Sequence, residues 1–377
     1  MRVRLGNYIK EYSVRNKAGE NIPVYSVTNT QGFCRDYFGK EVASKDKSTY
    51  KIVPKGYFAY NPSRINVGSV DWQRNEDRVI VSPLYNVFSV ANELNQQYLY
   101  YYLKSDITLH RIKSIATGSV RDNLKFDMLS EFKINLPNVN KQISIVNILD
   151  KIGMLIRKQQ TEIEKLDDLI KSRFVEMFGG PVSNPLSWEK RNLKEVCVKL
   201  TDGTHFSPES FDIGKYKYIT AKNIKLSGFD FSNITYVPEE VHKPIYERCN
   251  PEFEDVLYIK DGATTGIAMV NTLEEEFTLL SSVALLKQDR NIMNGYFLTA
   301  LLNNEEMYLD IRNNMGGAAI TRLTIAKLNL IKVIVPPIEL QEQFAAFVEQ
   351  VDKSKLLEWI NLAKKSFDLL HERICIW

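Results

Sequence analysis

The longest regular pattern in the chain runs from Asn140 to Phe178. Apolar residues recur at Ile145, Leu149, Ile152, Ile156, Ile163, Leu166, Ile170 and Met177, and Gln159 and Arg173 complete an alternation of four- and three-residue steps. A seam of that period is the signature of a helix packed along its length on another helix. It predicts one uninterrupted helix of roughly 50 Å, taking about 1.5 Å per residue. Gly179, Gly180 and Pro181 end it. Gln159 either helps to fix the register or is a tolerated imperfection. A second seam lies between Glu339 and Trp377, where Leu356, Ile360, Ala363, Phe367, Leu370 and Ile374 repeat the spacing after a skip near Lys353. Two seams of similar length satisfy each other when packed antiparallel within the chain. The residues also leave open pairing of each helix with a second chain.

Outside these helices the pattern changes to short β-branched and aromatic runs broken by Pro, Gly, Asn and Ser. The first stretch holds IPVYSV, KIVPKGYFAYNPS and DRVIVSPLYNVFSV, then a helix candidate at Asn95–Lys104. The second holds YKYITAKNI, DVLYIKDG and FTLLSSVALL, then a helix candidate near Gly295–Asn303. Both read as α+β modules with mixed, irregular sheets.

The two modules repeat. LKFDMLSEFKINLP from Leu124 is answered by LTIAKLNLIKVIVP from Leu323, and IVNILDK (from Ile145) by FVEQVDK (from Phe347). Pro137 and Pro336 are 336 − 137 = 199 apart, and Asp150 and Asp352 are 352 − 150 = 202 apart. A repeat this long describes two similar globular modules, each followed by a helix, and not a solenoid of short units. The expected division is a module at 1–139, a long helix at 140–180, a second module at 181–337 and a second long helix at 338–377.

Composition narrows the class without naming it. A chain of 377 residues with 44% hydrophobic and 25% charged residues fits an ordinary globular protein of two or three domains. No run approaches the roughly 20 apolar residues of a membrane span, and MRVRLGNYIKEYSV lacks the apolar core of a secretory signal. The expectation is a cytoplasmic protein without a membrane partner. Cys34, Cys197, Cys249 and Cys375 are scattered, as are His110, His205, His242 and His371, which argues against a disulfide framework or a zinc site. The net charge of +3 hides an asymmetry: residues 1–139 hold 20 Lys and Arg against 13 Asp and Glu, and residues 188–337 hold 17 against 20. A basic first module suits a polyanion. The acidic second module needs a local basic face, for which Lys215, Lys217, Lys222 and Lys225 are candidates; simple variable surface charge is an equal reading there.

Catalytic signatures are missing. KDGATTG lacks the lysine-containing end of a phosphate-binding loop, NPSR lacks the second proline and the aromatic of an amino-methyltransferase motif, and Asp202 and Asp261 have no evident partner. A non-catalytic chain is expected. The loops carry instead hydroxyls, amides and isolated cations, in NPSRINVGS, TGSVRDN, TDGTHFSP, AKN, DGATTG and AAITR. Arg and Lys match guanine, Asn and Gln match adenine, and hydroxyls reach phosphates or either base. Polar turn residues also simply make turns.

The repeat, seams and loops together resemble the specificity (S) subunit of type I restriction–modification enzymes over essentially the whole chain. The segments that carry the resemblance are VIVPPIELQEQFAAFVEQVDK, TDGTHFSP followed by YKYITAKNI, DGATTG, and KLDDLIKSRFVEMFGG. The first module departs from the pattern, reading LPNVNKQ where the second reads VPPIELQEQ and lacking the DGTH loop. The resemblance implies an α+β fold of two tandem target-recognition domains separated by two long antiparallel coiled-coil helices with a pseudo-twofold repeat. Each domain would read one half of a bipartite, asymmetric site on double-stranded DNA, with the helices as spacer; roughly 50 Å is about one and a half turns of B-DNA.

The resemblance also implies partners. Two methyltransferase (M) subunits would carry S-adenosylmethionine, and restriction/translocase (R) subunits would use ATP and Mg²⁺, with no cofactor in this chain. The expected DNA contacts are Asn61, Ser63, Arg64, Asn66 and Arg121 in the first module. In the second they are Thr204, His205, Lys222, Asn223, Lys260, Thr264, Thr265 and Arg322. His205, beside Phe206, could equally pack its own loop. The rival classes are a stand-alone DNA-binding protein or recognition module of another defence system without a methyltransferase partner, a coiled-coil scaffold that binds protein, and an unrecognised enzyme.

Overall fold

A computed structural model describes residues 2–35, 46–116, 123–313 and 322–371, with side chains described as far as residue 364. The chain divides into two compact units, one formed by Met1–Arg157 with Leu362–Trp377 and the other by Lys158–Asn361.

In the first unit the opening strand Arg2–Arg4 pairs antiparallel with Lys133–Asn135, so the end of the module is stitched to its beginning. Between them lies a four-stranded antiparallel sheet in the order Ile9–Glu11, Asn86–Val90, Phe58–Tyr60, Val70–Trp72. The strand Phe58–Tyr60 is buried at every position, as a central strand should be, and Phe58 stacks on Phe88 with centroids 5.1 Å apart. The helix Gln96–Lys104 begins where expected, because the Asn95 side chain accepts the Tyr98 backbone N–H at 3.0 Å. It buries Tyr98, Leu99, Tyr102 and Leu103 against the sheet core.

The second unit repeats this plan. Lys190–Asn192 pairs antiparallel with Lys332–Ile334, and the four-stranded sheet runs Cys197–Asp202, Val283–Gln288, Val256–Ile259, Ala268–Val270. Asn294 caps the helix Gly295–Leu302 by accepting the Tyr296 and Phe297 N–H groups. The repeated sequence segment is therefore a short helix (Phe126–Ser130 and Ile325–Asn329) followed by the closing strand. The second unit adds a three-stranded sheet, in which Tyr216–Ile219 lies antiparallel to Thr235–Val237 and parallel to Phe277–Leu279.

The two long helices are Val139–Phe178 and Ile338–His371. The first, at 40 residues, measures about 60 Å at 1.5 Å per residue. Within the second unit they run antiparallel: Phe174 and Phe178 meet Phe344, Lys355 Nζ lies 2.6 Å from Asp167 Oδ1, and Gln159 Nε2 donates to Glu358 Oε2 at 3.0 Å. Gln159 is thus a buried, bonded member of the seam rather than an imperfection.

The phase of the seam differs from the sequence expectation at two places. On the first helix, Phe174 and Phe178 take the buried positions assigned to Arg173 and Met177. On the second, Phe344, Val348, Val351 and Leu362 are buried, whereas Leu356 and Ile360 are 60% and 54% exposed and Ala363 is exposed. The reason is tertiary. Phe344 is locked into a cluster with Phe174, Phe178 and Phe297, and that anchor sets the phase of the described residues after it; the expected seam side chains Phe367, Leu370 and Ile374 lie outside the described residues. The next inward position, Lys355, keeps its stem along the seam while its ammonium sits between Asp167 and Asp352. No skip occurs near Lys353. Among the described residues no helix is long and apolar enough to cross a membrane.

Candidate nucleic-acid interface

The first-module candidates sit on the loop that leaves the central strand Phe58–Tyr60. Asn61 Oδ1 accepts the Ser63 N–H at 3.1 Å, which turns the chain sharply. Ile65, fully buried, anchors the short 3-10 turn Ile65–Val67, and Gly68 closes it with φ 88°, a conformation that favours glycine. Two bonds tie this loop to the segment entering the next short helix: Leu124 N donates to Pro62 O at 3.1 Å, and Ser63 Oγ donates to Asn123 Oδ1 at 2.5 Å. Tyr60 OH, buried with its pKa pushed up by that burial, donates to Leu124 O at 3.1 Å. On this base Ser63 and Arg64 are exposed, and Asn61 and Asn66 are half-buried. Arg121 lies outside the described residues.

The second module builds the same junction with other residues. The loop leaving Val256–Ile259 carries Lys260, Thr264 and Thr265, and Leu323 N donates to Lys260 O at 2.8 Å. Leu323 and Leu124 are 323 − 124 = 199 apart, as are Arg322 and Asn123 (322 − 123 = 199). Arg322 takes the place of Asn123, with its Nε 3.3 Å from Asp261 Oδ1. Nearby, the TDGTHF loop follows the strand Cys197–Asp202, and Thr204 N donates to Leu279 O at 2.8 Å.

The eight candidates of this module divide evenly. His205, Lys222, Thr264 and Arg322 are exposed. Thr204, Asn223, Lys260 and Thr265 are buried and bonded inside the loops, so they shape the surface without presenting side chains to it. Asn223 Nδ2 donates to Asp230 O at 3.1 Å while its Oδ1 accepts the Thr220 N–H at 3.0 Å. Thr265 Oγ1 donates to Gly262 O at 2.7 Å. Lys260, only 1% exposed, donates to Asp261 Oδ2 at 2.8 Å and lies 3.4 Å from Asp202 Oδ2. Of the four lysines proposed as a basic face, Lys217 is paired with Glu275, whereas Lys215, Lys222 and Lys225 are exposed.

Asp202 and Asp261, which had no partner in the sequence reading, are both paired. Asp202 Oδ1 lies 3.1 Å from His205 Nε2 and 3.6 Å from Arg248 Nη1. Arg248 was not foreseen. It leaves the end of the helix Glu239–Arg248 and donates to Thr201 Oγ1 at 3.3 Å and to Gly203 O, bracing the loop from outside. In the first module the sequence reading also missed Arg74, which lies over the Trp72 and Tyr100 rings at 4.4 and 5.4 Å while bonding Asp71 at 2.8 Å. Among the described residues no group of three His, Cys, Asp or Glu side chains could hold a metal ion.

Comparison with known proteins agrees with this duplicated plan. A family model described as type I restriction modification DNA specificity domain matches residues 4–166 and again 185–362. The MjaIX specificity subunit of a type I restriction enzyme from Methanocaldococcus jannaschii is 24% identical over 318 residues, 79% of this chain and 71% of that protein. The MjaVIII specificity subunit from the same organism is 23% identical over 292 residues, 72% of this chain and 68% of that protein. Among solved structures, the S subunit of a type I restriction–modification system from M. genitalium superposes with a TM-score of 0.52 at 18% identity, covering 98% of this chain and 94% of that one. A chain from a structure on complex assembly and conformational transition of the type I R-M system gives 0.54 at 17% identity, covering 99% and 95%. These likenesses concern the fold.

Proposed function

The chain belongs to the type I restriction modification DNA specificity family, and from that premise we propose that it is the DNA-reading subunit of a type I restriction–modification enzyme. Each module reads one half of a bipartite, asymmetric site, and the long helices set the interval between the halves. The observation that carries this reading is the repeated junction, at which a loop leaving the central strand is tied to the segment 199 residues from its counterpart. In the first module it presents Ser63 and Arg64, and in the second Thr264 and Arg322, with His205 exposed on the neighbouring TDGTHF loop. Arginine pairs with guanine O6 and N7, and hydroxyls and imidazoles bond phosphate or base edges.

The reading assigns the chemistry to partners. Two methyltransferase subunits supply S-adenosylmethionine and the methylation of adenine, R subunits supply ATP- and Mg²⁺-dependent translocation and cleavage, and this chain has no catalysis of its own. Docking of protein partners is supported by the apolar side chains that the long helices leave exposed. Met154 and Leu169 lie on the first, and Leu356, Leu357, Trp359 and Ile360 on the second, at 47–60% exposure. The proposal is tested by purifying the chain with its methyltransferase subunits and selecting bound duplexes from a random pool. Two fixed half-sites separated by an unread gap of constant length are expected; an unenriched pool or one contiguous motif would overturn the reading.

A further inference from the structure

We propose that Asp202 and Lys260 form a positioning pair, a buried ion pair that locks the loops of the second module together so that His205 and Arg322 are presented to DNA as one surface. The inference rests on the DNA-reading function above and names what organises the second half of that reader.

The two residues lie at the same end of the four-stranded sheet but two strands apart. Asp202 ends the strand Cys197–Asp202, Lys260 follows Val256–Ile259, and Val283–Gln288 runs between them. The Lys260 backbone N–H donates to Ser282 O at 2.9 Å, and its side chain reaches across to Asp202. Both side chains are buried, at 2% and 6% exposure. A lysine so placed cannot serve as a solvent-facing phosphate contact, and a buried charge is retained only when paired.

The pair is the middle of a chain of alternating charges: His205, Asp202, Lys260, Asp261, Arg322. Asp202 Oδ1 faces His205 Nε2 at 3.1 Å and its Oδ2 faces Lys260 Nζ at 3.4 Å. Lys260 Nζ bonds Asp261 Oδ2 at 2.8 Å, and Asp261 Oδ1 lies 3.3 Å from Arg322 Nε. The two cationic or ionisable ends are the exposed members, at 62% and 60%, and the interior members are not. Three separate segments (201–206, 260–266 and 322–323) are thereby held to a common core. Among the described residues the first module shows no counterpart: Asn61 follows its central strand where Lys260 follows this one, and the neutral Ser63–Asn123 bond closes its loop. Among the described residues the device belongs to the second module alone.

That asymmetry supplies the test. The intact chain is purified with its partner subunits as wild type, Lys260→Met, Asp202→Asn and the double variant. Each is measured for thermal stability, for the salt slope of DNA binding, and for discrimination against single mismatches in either half-site. Each single variant, which removes one member of the buried pair and leaves the other with one partner fewer, is expected to reduce discrimination in the second half-site about tenfold and to leave the first half-site unchanged. The double variant should recover part of the loss, because neither member of the pair is then buried without the other. The salt slope of Lys260→Met should match wild type, since a phosphate-contacting lysine would lower it by about one. A slope reduced by about one without any coupling to Asp202, or an equal loss in both half-sites, would overturn the proposal. A wild-type complex with no half-site preference would instead remove the functional reading on which it rests.

Discussion

Gln142 and Gln341 do the same work 341 − 142 = 199 residues apart. Each is fully buried at the start of a long helix. Gln142 Oε1 accepts the N–H of the helix-capping Asn95 at 2.8 Å, and its Nε2 donates to the carbonyls of Glu93 and Pro137, both at 2.8 Å. Gln341 repeats this with the Asn294 N–H at 2.9 Å and the Ile292 and Pro336 carbonyls at 3.0 and 2.8 Å. One amide thus bonds three backbone groups, two before the capped helix and one at the closing proline, at the point where module meets helix. Leucine at either position would leave one backbone donor and two backbone acceptors of the largely half-buried junction without their partner, so Gln142→Leu and Gln341→Leu should each cost about 1–3 kcal/mol, measured by chemical denaturation. A cost under about 0.5 kcal/mol would mean that water replaces the amide.

The aromatic cluster sets the phase of the C-terminal helix, and substitutions distinguish its two possible seams. Phe344→Ala, at a fully buried ring 5.6 and 5.7 Å from Phe174 and Phe178, should cost about 3–5 kcal/mol. Val351→Ala should cost about 1–2 kcal/mol, and Leu356→Ala, largely exposed, no more than about 0.5 kcal/mol. Thermal or urea unfolding of the intact chain ranks them. The reverse order for Val351 and Leu356 would restore the seam that the sequence suggested.

Alkaline pH should destabilise the fold. Burial pushes the hydroxyls of Tyr98 and Tyr101 and the thiols of Cys197 and Cys249 up to about 12. In the unfolded chain these groups lose protons near their ordinary values of about 8.5–10. Because the folded values are the raised ones, the contribution is complete below that range and is lost as pH climbs toward 12. The denaturation midpoint should therefore fall steadily from about pH 9 upward, with part of the tyrosinate absorbance appearing only on unfolding. A midpoint constant from pH 9 to 11.5 would contradict this.

Arg64→Ala and Arg322→Ala test the proposed reading surface. Both side chains are exposed on the equivalent junctions of the two modules. Each substitution should weaken binding by about 1–3 kcal/mol and relax preference at a base pair in its own half-site only. Competition binding against mismatched duplexes measures this. Unchanged affinity in both variants would place the reading surface elsewhere.

What was legible in the sequence follows from how local each signal is. A heptad seam repeats its evidence every few residues, so both long helices could be read directly, whereas their antiparallel pairing within the chain was one of two arrangements the residues left open. The phase could not be read, because it is fixed by Phe344 against Phe174, Phe178 and Phe297, contacts between residues distant in sequence. Arg64 and Arg322, which loop composition singled out, are exposed. Lys260 is not: a lysine beside a glycine-rich turn resembles a phosphate contact until Asp202, 260 − 202 = 58 residues earlier, is brought against it. Gln142 and Gln341 stood within the two junction segments LPNVNKQ and VPPIELQEQ, and their shared spacing was the one available signal of a common role.

The most direct measurement is single-molecule methylome sequencing of cells carrying the complete system, with and without this gene. The account predicts that one split motif, two fixed halves around an unread gap, carries N6-methyladenine only when the gene is present, and that substitutions in the second module alter one half alone. An unchanged methylome in cells where the partner methyltransferase is demonstrably expressed and active would contradict it.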